Sequence, residues 1–219
     1  MVKVISFSLW GNDPKYCIGA IRNSEISKDI YPDWICRFYV SNDVDKSIIK
    51  ELEKNNSQIV FRSQDANWTS MFWRFECGFD EMVDISIFRD TDSRLNLREK
   101  YAVDEWILSN KTFHIMRDHP CHGVPILGGM WGIKNKQFEN LEKLIKSFEI
   151  KNEYGTDYKF FIEKLYPLIN DDKIVHDEFF DKIPFPTKRQ EYEFVGEVFD
   201  CNDHRNEDHR SILINFLNK

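Results

Sequence analysis

The sequence predicts an α/β fold with a mixed, mainly parallel central sheet flanked by helices, and three observations carry that prediction. Short apolar, partly β-branched runs alternate with helix-like stretches along the first half of the chain. The runs end in turn formers such as Trp10-Gly11-Asn12-Asp13-Pro14. The apolar fraction of 42%, with 15% aromatic residues, suffices for a sizeable core in 219 residues.

Residues 2–9 read as the first core strand, too short to span a membrane and without a small-residue cleavage site. A helix is expected over 15–30, a strand over 34–40, a helix over 45–55 and a short strand over 58–62. The aromatic stretch 71–79 reads as helical, and 83–88, VDISIF, as a strand running into Arg89-Asp90-Thr91-Asp92-Ser93-Arg94. Asn96 with Glu99 three residues later resembles a helix cap, opening a helix with Ala102, Val103, Trp106 and Ile107 on one face. A strand at 113–116, a polar turn, a glycine-rich stretch at 127–132 and helices at 137–148 and 155–168 complete the reading. No repeat, low-complexity tract or linker interrupts it, so one domain covering 1–219 is expected.

The formal charge of −7 and the lack of a long basic run exclude a general nucleic-acid binder, which neutralises phosphates with Lys and Arg. The five cysteines are widely spaced and contain no CxxC pair, which suits reduced thiols and a cytoplasmic location. No membrane span is expected.

The chemistry concentrates at Asp90-Thr91-Asp92. Side chains two apart at a strand end share a face, so the two carboxylates form a compact oxygen pair. Hard cations such as Mn2+ or Mg2+ bind through one or two carboxylates plus phosphates and water, and a diphosphate can complete the sphere. Such an ion neutralises a leaving diphosphate, with Arg89, Arg94 and Arg74 as nearby cations. Arg117-Asp118-His119 forms a donor-rich turn near another strand end, and His114, His119 and His122 together raise a zinc-hydrolase alternative, although their spacing matches no familiar zinc pattern. Gly128 and Gly129 permit a sugar or phosphate to approach the main chain, and Trp131 either stacks on a sugar or packs in the core. Neither GxGxxG nor a P-loop occurs. Asp157 begins a helix, as a cap or as an acceptor-side base. The aromatic content also admits a noncatalytic sugar-binding module, although core packing explains it more simply.

Taken together, Ser8-Leu9-Trp10-Gly11, Met71-Phe72-Trp73-Arg74-Phe75, Arg89 through Arg94, His114 through Pro120 and Gly128 through Gly132 resemble a family of small GT-A glycosyltransferases. Its members occur in large DNA viruses of algae and in bacterial surface-polysaccharide clusters. The similarity extends from the first strand to Pro184-Phe185-Pro186. It implies a GT-A fold, a Mn2+ or Mg2+ cofactor, a UDP-sugar donor and a glycan acceptor. By this resemblance Asp90 and Asp92 match the metal-binding DxD, and Ser8, Leu9, Trp10 and Gly11 the nucleotide-contacting segment. Arg74 and Arg89 match donor contacts. His176, at the end of an apolar run, matches more loosely a late metal-binding histidine of some retaining relatives, which tilts the expectation towards retention of configuration.

Overall fold

The computed structural model describes residues 1–63 and 65–219. A seven-stranded sheet forms its centre, in the spatial order β3-β2-β1-β4-β6-β5-β7. The strands are β1 (Lys3–Leu9), β2 (Ile35–Ser41), β3 (Gln58–Arg62), β4 (Ile85–Phe88), β5 (Phe113–Arg117), β6 (Trp131–Lys134) and β7 (Lys173–Asp177). Only β6 runs antiparallel to its neighbours, β4 and β5. The near-continuous burial of β1, β2 and β4 follows from having both sheet faces covered.

Helices α1 (Pro14–Ile30), α2 (Lys46–Lys54) and α3 (Leu97–Leu108) close one face. There Ile5, Phe7 and Leu9 pack with Phe38, Val103 and Trp106. Their starts are set by side-chain caps: Asp13 accepts from Lys15 N at 2.9 Å, Asp45 from Ser47 N at 2.7 Å, and Asn96 from Glu99 N at 2.9 Å, the last as the sequence suggested. The other face is covered by a 3-10 helix (Trp68–Phe79), by α4 (Leu141–Lys146) and by α5 (Thr156–Phe160); there Phe72, Phe75 and Phe160 join Phe88 and Trp131 in one core cluster, with the Phe75 ring 5.4 Å from that of Phe88.

Four elements depart from the sequence reading. The 71–79 stretch is a 3-10 rather than an α-helix; at three residues per turn Met71, Arg74 and Cys77 fall on one line. The helix expected over 137–148 shrinks to α4, and 155–168 changes pitch from α5 through a π turn (Phe161–Leu165) to a 3-10 turn (Tyr166–Leu168). The glycine-rich stretch leads directly into β6, and Trp131 is a core residue whose ring lies 4.2 Å from that of Phe88. Beyond β7 the chain returns across the sheet edge, pairs Val198 with Ser93, and ends in α6 (Glu207–Leu217). Among the described residues no helix is long and apolar enough to cross a membrane.

Candidate active site

Strand polarity assembles the acidic motif. Because β6 is antiparallel, its beginning lies at the sheet edge where β1 and β4 end. The register Phe88↔Trp131, carried two residues outward, sets Asp90 opposite Gly129. A Cβ on Gly129 would overlap the Asp90 carboxylate, and one on Gly128 would overlap Asp157 and meet Arg74. The two glycines therefore leave room for the acidic groups themselves. The loop that follows is clamped from both sides. Asn23 of α1 donates to Thr91 O at 3.2 Å and Ser93 O at 2.8 Å and accepts from Leu95 N at 3.1 Å. From the C-terminal return, Phe199 N donates to Asp92 O at 2.8 Å.

The motif opens into a cleft of about 810 Å3. One wall carries Ser8, Leu9, Trp10 and Gly11 at the end of β1; the floor carries Arg74, Asp90, Asp92, Gly128 and Asp157; the far wall carries His119, His122 and His209. Trp68, Tyr154 and Tyr158 form an aromatic rim, with Trp68 and Tyr154 edge to face at 5.4 Å.

At the floor two cations are shared among three carboxylates. Arg74, 6% exposed, pairs with Asp90 and holds Asp157 at 3.7 Å, while Lys15 Nζ reaches Asp92 Oδ2 at 2.6 Å. Burial raises the pKa of Asp92, the Asp90 charge adds to the rise, and Lys15 opposes it. Burial likewise raises Asp157, against the pull of Arg74 and with the Asp90 charge adding. For Lys15, burial is outweighed by the hydrogen bond and charge of Asp92, and its pKa rises. Asp90, with half of its side chain exposed, and Asp92, at 15%, offer hard oxygen donors, which suits a Mn2+ or Mg2+ ion whose other ligands come from phosphate and water.

Several residues singled out in the sequence lie elsewhere. Arg89 turns inward: its Nε donates to Glu99 at 3.0 Å, and its Nη1 donates to Phe88 O and Trp131 O, so it fastens α3 to the sheet instead of facing the cleft. Arg94 binds Asp203 of the C-terminal return. Arg117 pairs with Asp177 and Asp181. Asp118 is fully buried between Arg98 and Arg189 and accepts from Val195 N at 2.9 Å, which makes it an anchor for the C-terminal return and not a cleft group. Ser8 lines the cleft, but its hydroxyl donates to Met71 O and accepts from Arg74 N, pinning the 3-10 helix to β1.

His176 is not brought to the acidic motif. It sits in β7 against α3, with Nδ1 2.8 Å from Nε2 of His114 and Nε2 3.7 Å from Glu105. The basis for expecting retention falls with it; the late histidine that lines the cleft is His209 of α6. Nor do His114, His119 and His122 converge. His114 is buried against Trp106, whereas His119 donates from Nε2 to His209 O and accepts at Nδ1 from Cys121 N. His122 accepts at Nδ1 from Asp118 N, and burial pushes its pKa down to about 3. Among the described residues no group of three or more His, Cys, Asp or Glu side chains could hold a metal ion.

Lys15, Asn23 and His209 belong to the site but carry no local signature. Lys15 and Asn23 lie one and three turns into an ordinary amphipathic helix, and His209 lies in a helix the sequence reading did not mark.

No protein-family model and no curated protein sequence matches the chain. Solved structures do. A glycosyltransferase involved in glycosylation of the major capsid of PBCV-1 aligns at 14% identity and a TM-score of 0.52, over 81% of this chain and 83% of its own. Glucosyl-3-phosphoglycerate synthase from Mycobacterium tuberculosis, in complex with Mn2+, UDP and phosphoglyceric acid, aligns at 12% identity and a TM-score of 0.53, over 87% and 71%. A 4-diphosphocytidyl-2C-methyl-D-erythritol synthase from Anaerococcus prevotii aligns at 12% identity and 0.51, over 85% and 94%. The mixed, mostly parallel sheet and these likenesses give the chain the GT-A fold.

Proposed function

We propose that this chain is a metal-dependent glycosyltransferase that moves a hexose or deoxyhexose from a UDP-sugar to a glycan hydroxyl, in surface or capsid glycan synthesis. The observation that carries the reading is Asp90 and Asp92 together on a clamped loop at the carboxyl end of the central strand β4, opening into a cleft large enough for a nucleotide-sugar. The Mycobacterium neighbour, whose structure contains Mn2+ and UDP, supports it by analogy of fold. Because the same fold serves the Anaerococcus synthase, the choice of reaction rests on the cleft rather than on the likeness.

Asp90 and Asp92 would hold the divalent ion, which when bound supplies positive charge where the diphosphate leaves. Residues 8–11 form the wall for the nucleoside. Arg74 ties Asp90 and Asp157 together on the floor. Asp157, with its raised pKa, is the acceptor-side base, taking the proton of the attacking hydroxyl at a carboxylate oxygen. That role predicts inversion of anomeric configuration; retention in the product, read by NMR, would remove Asp157 from it. The aromatic rim would exclude water and stack on sugar rings.

The decisive experiment is turnover of UDP-sugars by Asp90→Ala/Asp92→Ala. Metal-dependent UDP release should vanish, and full activity of the double variant, or in excess chelator, would sink the mechanism. Binding of UDP-sugars without any nucleotide release would instead favour the noncatalytic sugar-binding module.

A further inference from the structure

The two carboxylates of the motif are each paired with a cation of the chain, but the two cations are held very differently. Arg74 is locked in place: besides Asp90 it donates to Arg89 O at 3.2 Å, faces Asp157, and lies 5.2 Å over the Phe75 ring. Lys15 is 34% exposed, at the first turn of α1, and Asp92 is its one ion-pair partner among the described residues; the Tyr16 ring lies 5.0 Å from its ammonium, and the charge of Asp13 acts on it from further off. A lysine ammonium on a four-carbon stem can swing where a buried guanidinium cannot.

A divalent ion that takes an Asp92 oxygen would meet the Lys15 charge within contact distance, and like charges there repel. Lys15 must leave, and the start of α1 beside the cleft is where a diphosphate would offer it a new partner. We propose that Lys15 is a resident counter-ion of Asp92, displaced by the divalent cation and transferred to the nucleotide diphosphate, so that metal and nucleotide bind cooperatively. Metal alone binds against Lys15; metal with a diphosphate binds with its help. Coupling of this kind is reciprocal, so each ligand tightens the other by the same factor. Lys15 then neutralises Asp92 in the empty site, which resists loading with free cation alone.

The inference rests on the donor reading above, and its test separates the two. Mn2+ binding is measured by calorimetry and by the loss of the free-Mn2+ paramagnetic resonance signal, with and without UDP, for the wild type, Lys15→Met and Lys15→Arg. In the wild type UDP should tighten Mn2+ by about tenfold or more. Lys15→Met should bind Mn2+ alone about tenfold more tightly than the wild type and lose most of the coupling. Lys15→Arg should keep the wild-type pattern. Mn2+ affinity in Lys15→Met that is unchanged or weaker without UDP overturns the proposal, while intact Mn2+ and UDP binding in the wild type would leave the donor reading standing. A wild type that binds neither ligand overturns both.

Discussion

Arg74 Nη2 stands 3.7 Å from Asp157 Oδ2, and the same guanidinium pairs with Asp90, so one buried cation joins the two sides of the cleft floor. Asp157→Asn should therefore leave UDP and Mn2+ affinity within a few-fold of the wild type, because Arg74 keeps Asp90 in place. The transfer rate should fall by about 10²–10⁴-fold, as expected for loss of a general base. Paired binding and single-turnover measurements check this; an equal loss of both would make Asp157 a positioning group.

Gly129→Ala is expected to impair the site without unfolding the protein. The new Cβ would overlap the Asp90 carboxylate. Asp90, half exposed on the cleft side, can yield only by giving up its pairing with Arg74. A displacement of about 1 Å can cost about 10²-fold in activity, and kcat/KM for the UDP-sugar should drop on that scale. A folded protein with a lowered melting temperature and weakened Mn2+ binding is the expected signature.

Glu197 makes stability depend on pH. It lies in the C-terminal return with 5% of its side chain exposed, one oxygen on Arg205 at 3.0 Å and the other without a hydrogen-bond partner. Burial raises its pKa from 4.5 to about 7, against the opposing charge of Arg205. Below about pH 4.5 the carboxyl is protonated whether the chain is folded or not. Between that value and about 7 the unfolded chain sheds its proton while the folded one keeps it, so stability falls as pH rises through this window. The loss approaches about 3 kcal/mol at most and is complete above about pH 7. Glu197→Gln should remove that slope from urea-denaturation curves taken between pH 5 and about 8.

Asp118→Ala should be among the most destabilising substitutions outside the cleft. It strips the shared carboxylate from Arg98 and Arg189, leaving the buried guanidinium groups with Glu178 as their one acidic partner among the described residues, beside the backbone acceptors Thr187 O and Glu193 O. Breaking a buried pair in this way costs about 3–5 kcal/mol, measurable as a shift of the urea midpoint. Amide exchange near Val195 should rise with it, because that backbone N–H loses its acceptor.

The sheet and the acidic motif were legible because both are local statements. Of the run 83–88, Ile85–Phe88 form a fully buried strand, and a strand must end in a loop; the loop carries Asp90 and Asp92. The Asn96 cap was legible for the same reason. The fate of the arginines was not. Arg89 beside the motif reads like a phosphate ligand until Glu99 claims it, and Arg94 until Asp203, far along the chain, does so. Histidine roles failed similarly: His176 looked like a strand-end ligand, but its ring hydrogen-bonds that of His114 on β5, and nothing local reveals that β5 and β7 are adjacent. Strand β6 was hidden because its four residues follow a glycine pair that reads as a turn.

The pairing of Ser93 with Val198 and of Asp92 with Phe199 bears on the order in which the molecule acquires its cleft. Contacts between segments so distant in sequence form late, since loop-closure entropy opposes them until the intervening chain is in place. The wall formed by β1 and the 3-10 helix needs only the first third of the chain; the wall bearing His209 needs the last helix to dock. The last helix buries little, with Leu213 as its one fully buried residue, so it is the segment best suited to local opening. A hydrogen-exchange map should find 207–217 exchanging well before β1, β2 and β4. Transient release of this helix would remove the His209 side of the cleft while the sheet and the acidic motif stay folded, on a timescale separate from that of global unfolding.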